Sequence, residues 1–213
     1  MPYPAYTFPE RVADGTVHLI GIVASIVAVA VLLSLTAGRM SAGTLTATVV
    51  YSVTLIAMLG ASGAYHLAAH TRARPWLRRI DHAAIYLKIA GTFTPLAVLI
   101  GSAFGYVVLG LVWAVALIGA ARKLAAPLGR MTTGALPFIL LGWIGVMLLI
   151  PLMRIAPLPA LVLIAIGGLT YTAGTLFYSA ERIPFSNAIW HGFVLVASTC
   201  FFAAIATSVT ALP

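Results

Sequence analysis

The sequence predicts an all-α integral membrane protein: a seven-transmembrane helix bundle with its N-terminus cytoplasmic and its C-terminus outside. Three observations predict it. Hydrophobic residues make up 62% of the 213-residue chain and charged residues only 8%, against about 25% charged in ordinary soluble domains. A soluble fold of this size could not cover its surface with so few charges. Seven separate stretches approach the roughly 20 mostly apolar residues that a membrane crossing needs. The basic residues fall almost entirely on one side of those stretches.

In order, the stretches are Gly15–Thr36, Thr44–Leu67, Ile80–Gly101, Gly105–Ala121, Thr133–Met153, Leu158–Phe177 and Ala188–Val209. Residues 1–14 carry no apolar core and read as a cytoplasmic N-terminal segment rather than a cleavable leader. Residues 15–210 then form one transmembrane domain. The third and fourth stretches are separated only by Ser102–Gly105, but together they are too long for one crossing. Pro95 and Pro137 lie inside spans and predict local kinks, which neighbouring helices tolerate in a bundle. No soluble domain, linker, low-complexity tract or internal repeat is visible.

Orientation follows from the positive charges. Arg11, Arg72, Arg74, Arg78, Arg79, Arg122, Lys123, Arg130 and Arg182 map to one side, Arg39 and Arg154 to the other. The bias places the first side in the cytoplasm. The formal net charge of +8 therefore reads as topology signal and contact with anionic lipid. No basic stripe interleaved with aromatics is present, which argues against nucleic acid as a partner. Membrane lipids are the expected partners, and the plasma membrane the expected location. The single cysteine, Cys200, cannot form an internal disulfide and reads as packing within an apolar run.

The remaining ionisable groups gather on that same side. All four acids (Glu10, Asp14, Asp81, Glu181) and all five histidines (His18, His66, His70, His82, His191) map there. At about 1.5 Å rise per residue, His66, Asp81 and His191 share one membrane layer from three different helices. Ionisable residues inside a membrane are expensive and face the bundle interior. Two imidazoles and a carboxylate converging there offer a zinc-type ligand set with an open position. Each member also has a plainer reading. Asp81 could cap its helix or pair with Arg78 or Arg79, and the histidines could donate interhelical hydrogen bonds. Glu10, Asp14 and His18 recur at intervals of four, so on a helix begun early they line one face and reach the same region. Lys88 lies two turns beyond Asp81, either as an inward counter-charge or snorkelling outward.

Three blocks then carry a resemblance. They are Ser62-Gly-Ala-Tyr-His66, Arg79-Ile-Asp81-His82-Ala-Ala-Ile-Tyr86 leading to Ile89-Ala-Gly-Thr-Phe-Thr-Pro95, and Asn187-Ala-Ile-Trp-His191-Gly-Phe-Val194. With Glu10, Asp14, His18 and Gly21 before them, they resemble the hemolysin III family, within the progestin and adipoQ receptor (PAQR) superfamily. The resemblance covers nearly the whole chain, and the Arg79–Pro95 block is its most specific part. It implies seven helices and a zinc ion near the cytoplasmic face. Carried over by position, the implied metal residues are His66, Asp81 (directly or through water) and His191, with Ser62 beside them. The fourth position, a histidine in the family pattern, is Asn187 here. An amide is a poorer zinc ligand than imidazole, although Asn187 could hydrogen-bond a metal-bound water. His70, one turn from His66, is a possible substitute.

By analogy with ceramidase-like relatives, the resemblance implies a zinc-dependent hydrolase acting on a lipid amide or ester, with Ser62 or Asp81 as catalytic groups. Bacterial members are tied more closely to membrane-lipid homeostasis. The alternative is a non-enzymatic membrane sensor in which the metal is a structural staple. Two further readings carry less weight. One is a cytolysin, which needs a water-soluble state this composition does not offer. The other is a rhomboid-like serine protease using a Ser62–His191 dyad, suggested by Gly60-Ala-Ser-Gly63 alone.

Overall fold

A computed structural model describes residues 6–68, 71–127, 134–180 and 182–211. The regular structure among these residues is all helical: α1 (Phe8–Thr36), α2 (Ala42–Leu67), α3 (Arg74–Ile100), α4 (Ala103–Ala125), α5 (Leu136–Trp143), α6 (Val146–Leu152), α7 (Leu158–Tyr178) and α8 (Ser186–Thr210).

Local chemistry explains where the helices begin and end. The backbone N–H and hydroxyl of Thr7 both donate to Glu10 Oε2, at 2.8 and 2.7 Å, and Pro9 occupies the first turn. This box starts α1 at Phe8, about two turns before the apolar stretch. Ser41 and Ser102 accept the N–H groups of Thr44 and Gly105, capping α2 and α4. Gly101 ends α3 in the left-handed region at φ 62°, which a Cβ would oppose. That turn divides two crossings where the apolar pattern is almost continuous. α3 starts six residues earlier than hydropathy indicates. Its first turns carry Trp76, with the Arg79 guanidinium 4.5 Å from the ring centre, a pairing suited to the membrane interface.

Six helices, α1–α4, α7 and α8, are long and apolar enough to cross a membrane. The expected fifth span differs. Its first residue, Thr133, lies outside the described residues, and the remainder is the broken pair α5–α6. At 1.5 Å per residue, Leu136–Leu152 reaches only about 25 Å, below the roughly 30 Å hydrocarbon core. The break falls at Gly145, whose backbone sits against the Phe93 ring of α3 so closely that any Cβ would collide with it. Pro137 does not kink a span; it lies in the first turn of α5, where a missing N–H costs little. Pro95 is carried within the uninterrupted α3.

α3 is the most buried helix and packs against α2, α4, α5, α6 and α8. α1 lies between α2 and α8, and α7 pairs with α8. Large apolar side chains such as Leu19, Val27, Val107 and Leu176 point outward and are exposed. A water-soluble monomer does not display that much apolar surface; the protein is a multi-pass membrane protein. The inward stripe of α1 is instead Asp14, His18, Gly21, Ser25, Val29, Leu32 and Thr36. Its helical period turns polar groups inward at the end where α2 finishes and α8 begins.

Candidate metal centre

Three helix ends meet at one level: the first turns of α1, the last turn of α2 and the first turns of α8. They bring together His18, His66 and His191. One ligand atom from each lies within 4.8 Å of the others. Ring centres are separated by 4.3 Å (His18–His191), 4.5 Å (His66–His191) and 5.1 Å (His18–His66). His18 and His191 are buried, and His66 is partly so.

Asp14 organises all three rings. Its Oδ1 lies 2.6 Å from His191 Nδ1 and its Oδ2 3.0 Å from His66 Nδ1. One turn along α1, its backbone carbonyl lies 2.8 Å from His18 Nδ1. Two lone pairs do not face each other at such distances, so each Nδ1 carries the hydrogen and donates it to Asp14. The three Nε2 atoms are left with lone pairs. A histidine whose other nitrogen donates to a carboxylate or carbonyl is the usual metal-binding arrangement. The donor set therefore fits a borderline cation such as zinc, with three imidazole nitrogens.

Asn187 Nδ2 donates to Asp14 Oδ2 at 2.9 Å and lies 2.9 Å from His66 Nδ1. The amide nitrogen has no lone pair for a metal. The residue standing at the expected fourth ligand position thus faces the carboxylate that orients the histidines.

Ser62 borders the Nε2 side, with its Oγ 3.1 Å from His18 Nε2. In this pairing the hydroxyl donates, occupying the lone pair a metal would use. Its partner is His18 rather than the His191 of the proposed serine dyad. Asp81 is buried on α3, and Ser62 and His191 are among its interacting neighbours. It borders the cluster without belonging to the three-histidine set.

The other sequence candidates lie elsewhere. His82 packs its ring toward Phe138, 6.4 Å between centres. Lys88 is buried between aromatic rings, and among the described residues it forms no ion pair with Asp81. Glu10 accepts from the backbone N–H of Phe185 at 2.9 Å, one turn away from the cluster. His70, Arg130 and Glu181 lie outside the described residues.

A family model described as haemolysin-III related matches residues 6–202. The chain belongs to this family. It is 33% identical over 199 residues to a protein named Hemolysin-3 homolog from Bacillus subtilis (strain 168), covering 92% of this chain and 93% of the relative. It is 31% identical over 194 residues to Hemolysin-3 from Bacillus cereus, covering 91% and 89%. The match begins at Tyr6, just before the α1 cap residue Thr7, so the family's extent includes Asp14 and His18.

In this haemolysin-III protein the ligand set implied by resemblance included His66 and His191 but not His18. The sequence carried a signal for it. Asp14 and His18 form an i, i+4 pair at the mouth of an otherwise apolar helix, where charge is costly unless partnered across the bundle. Spacing alone could not show that Asp14 serves three rings at once, because two of those rings come from distant helices.

Proposed function

We propose that this haemolysin-III protein is a membrane-embedded, metal-dependent hydrolase of a lipid amide or ester, with zinc held by His18, His66 and His191. The observation that carries the reading is the three-imidazole cluster within 4.8 Å, each ring donating its Nδ1 hydrogen to Asp14. When bound there, zinc supplies Lewis acidity toward a carbonyl and makes water a better nucleophile.

The chain's own groups take the remaining roles. Asp14 fixes the tautomer and direction of the rings. Asp81 is a buried carboxylate beside Ser62 and His191, placed to accept a proton from water. Ser62 offers a hydroxyl that can donate to substrate oxygen. The lipid-facing helices keep the reaction inside an apolar surround and present lipid as the natural substrate class.

The proposed topology has seven crossings, with α5–α6 together making the fifth, and the N-terminus in the cytoplasm. The charge bias supports this. On this proposed topology the cluster lies near the inner leaflet of the plasma membrane, since His18, His66 and His191 are at the basic-rich ends of their helices.

The test is turnover in lipid nanodiscs. Ceramide and phospholipid are offered to zinc-loaded protein, and released fatty acid is followed by mass spectrometry. Release that disappears with a chelator, returns with zinc and is lost in His66→Ala is expected. Absence of any zinc-dependent product from either lipid would sink the hydrolase reading.

A second reading has its own support, since Asp14 binds α1 to both α2 and α8 through His66 and His191. A metal held there would also staple three helices in a non-enzymatic membrane sensor. That reading predicts a lower thermal midpoint on metal removal and no turnover. The haemolysin name belongs to the relatives, and a lytic activity forms no part of either reading.

A further inference from the structure

Away from the histidines, a cavity of about 300 Å³ lies between α3, the α5–α6 pair and α7, with Phe201 of α8 also lining it. This is the lower end of the range for ligand pockets, and about twice a 150 Å³ apolar cavity known to admit benzene. None of the clustered histidines lines it, and neither does Asp14. Its walls are almost entirely hydrocarbon and aromatic, with one cationic group, Lys88.

Lys88 is 2% exposed. Its Nζ lies 4.9 Å from the Tyr171 ring centre and 5.2 Å from that of Phe201. Among the described residues it makes no hydrogen bond or ion pair. Facing two rings offsets only part of the cost of removing an ammonium from water. A charged side chain at such depth ordinarily pairs with an opposite charge.

The cavity has direction. Its α3 wall runs from Lys88 to Leu96 and its α7 wall from Thr172 back to Ile164. At 1.5 Å per residue the α3 wall is about 12 Å long, with the amine at one end and, apart from Thr92, apolar side chains along the rest. The flank is open, because α5–α6 makes little contact with α7. Trp143, Val146 and Leu169 border the cavity and are themselves exposed. On a membrane protein that flank opens onto lipid.

We propose that this cavity binds a single-chain amphiphile with a carboxylate head, a free fatty acid entering from the bilayer, with the carboxylate paired to Lys88 and the chain lying along α3 and α7. The carboxylate supplies the counter-charge that Lys88 lacks. A single chain matches the narrow elongated space better than a two-chain phospholipid, whose phosphate would also bring a bulky head into an apolar chamber. The site does not depend on the metal reading, since none of the proposed ligands lines it.

The test uses chelator-treated protein in nanodiscs, so that failure of metal binding or turnover has no bearing on it. Carboxyl-labelled ¹³C-dodecanoate is titrated and its carboxyl resonance followed, with dodecanoate methyl ester and dodecyltrimethylammonium as competitors. Saturable binding near one per chain is expected, with both competitors at least tenfold weaker. Lys88→Met keeps the bulk and removes the charge, so it should weaken dodecanoate at least tenfold and abolish its preference over the ester. Because it removes an unpaired buried charge, the variant should fold. Gly168→Phe retains Lys88 but fills the cavity; Gly168 lines it and has open space where a Cβ would project. It should also lose binding. No saturable binding, or equal affinity in Lys88→Met, would overturn the proposal.

Discussion

Asp14 Oδ1 and His191 Nδ1 lie 2.6 Å apart, joining the first turns of α1 to the first turns of α8. The distance is that of a strong, charge-assisted hydrogen bond. It is buried, and the other oxygen of the same carboxylate is shared by His66 and Asn187. The orientation of the candidate ligands therefore depends on one side chain that is not itself needed as a ligand.

Asp14→Asn should expose that dependence. The substitution keeps the size but leaves one oxygen and one NH₂ where two imidazole N–H groups now find acceptors. One ring must turn or change tautomer. Loss of a carboxylate behind a metal-bound histidine lowers metal affinity about 10- to 100-fold. Competition against a chromophoric zinc chelator measures this directly. Unchanged affinity would show that Asp14 does not orient the ligands.

His18 and His82 separate a ligand from a bystander. Both are buried histidines near the same ends of their helices, but only His18 belongs to the cluster. His18→Ala should bring zinc per chain, measured by elemental analysis of dialysed protein, close to zero. His82→Ala should leave it near one. Equal retention of metal by both variants would remove His18 from the ligand set.

The difference between these two residues also shows what the sequence could convey. Apolar runs and the basic-residue bias made a multi-span helical protein legible, because hydropathy depends on composition within one segment. The break at Gly145 was not legible: it depends on a ring from α3 arriving at that backbone. His66 and His191 could be placed at one depth by counting residues from the loops. Depth does not give azimuth around a helix, so Asp81 could be assigned to the same layer without revealing whether it joins the rings. Asn187 carried the least information. Its contact with Asp14 spans α1 and α8, and no local pattern encodes that pairing.

Asn187→Asp tests the amide's role. Asn187 Nδ2 donates to Asp14 Oδ2 at 2.9 Å, and aspartate would put a second carboxylate in that position. A hydrogen bond to a charged group contributes about 1.5–3 kcal/mol, and like-charge repulsion adds to its loss. The thermal midpoint of chelator-treated protein should fall, while Asn187→Gln should fall less if its longer amide still reaches Asp14. Equal midpoints for wild type and Asn187→Asp would contradict the contact.

Glu10 joins the start of α1 to the α7–α8 connection. It receives N–H groups from Thr7 and Phe185, and Phe185 is held at φ 60°, an uncommon conformation for a bulky residue. Glu10→Ala removes both attachments. Hydrogen exchange should accelerate at the amides of Thr7 and Phe185, while amides in the middle of α3 stay protected. If Phe185 exchanges at the wild-type rate, another group holds that turn.

Metal binding should follow pH with a definite sign. Each imidazole coordinates through a lone pair that protonation occupies, so acid competes with the metal at up to three sites. The ordinary histidine pKa is about 6.5. Affinity should therefore hold in neutral and mildly alkaline solution and decline on acidification, with more than one proton taken up per metal released. In Asp14→Asn the curve should start lower, since a ring of the wrong tautomer presents hydrogen rather than a lone pair even when neutral. Chelator competition between pH 5 and 8 in both proteins separates the two effects: protonation steepens the curve, and misorientation lowers its plateau. A flat profile in the wild type would exclude imidazoles as the principal ligands, because imidazole protonation competes with the metal over that interval.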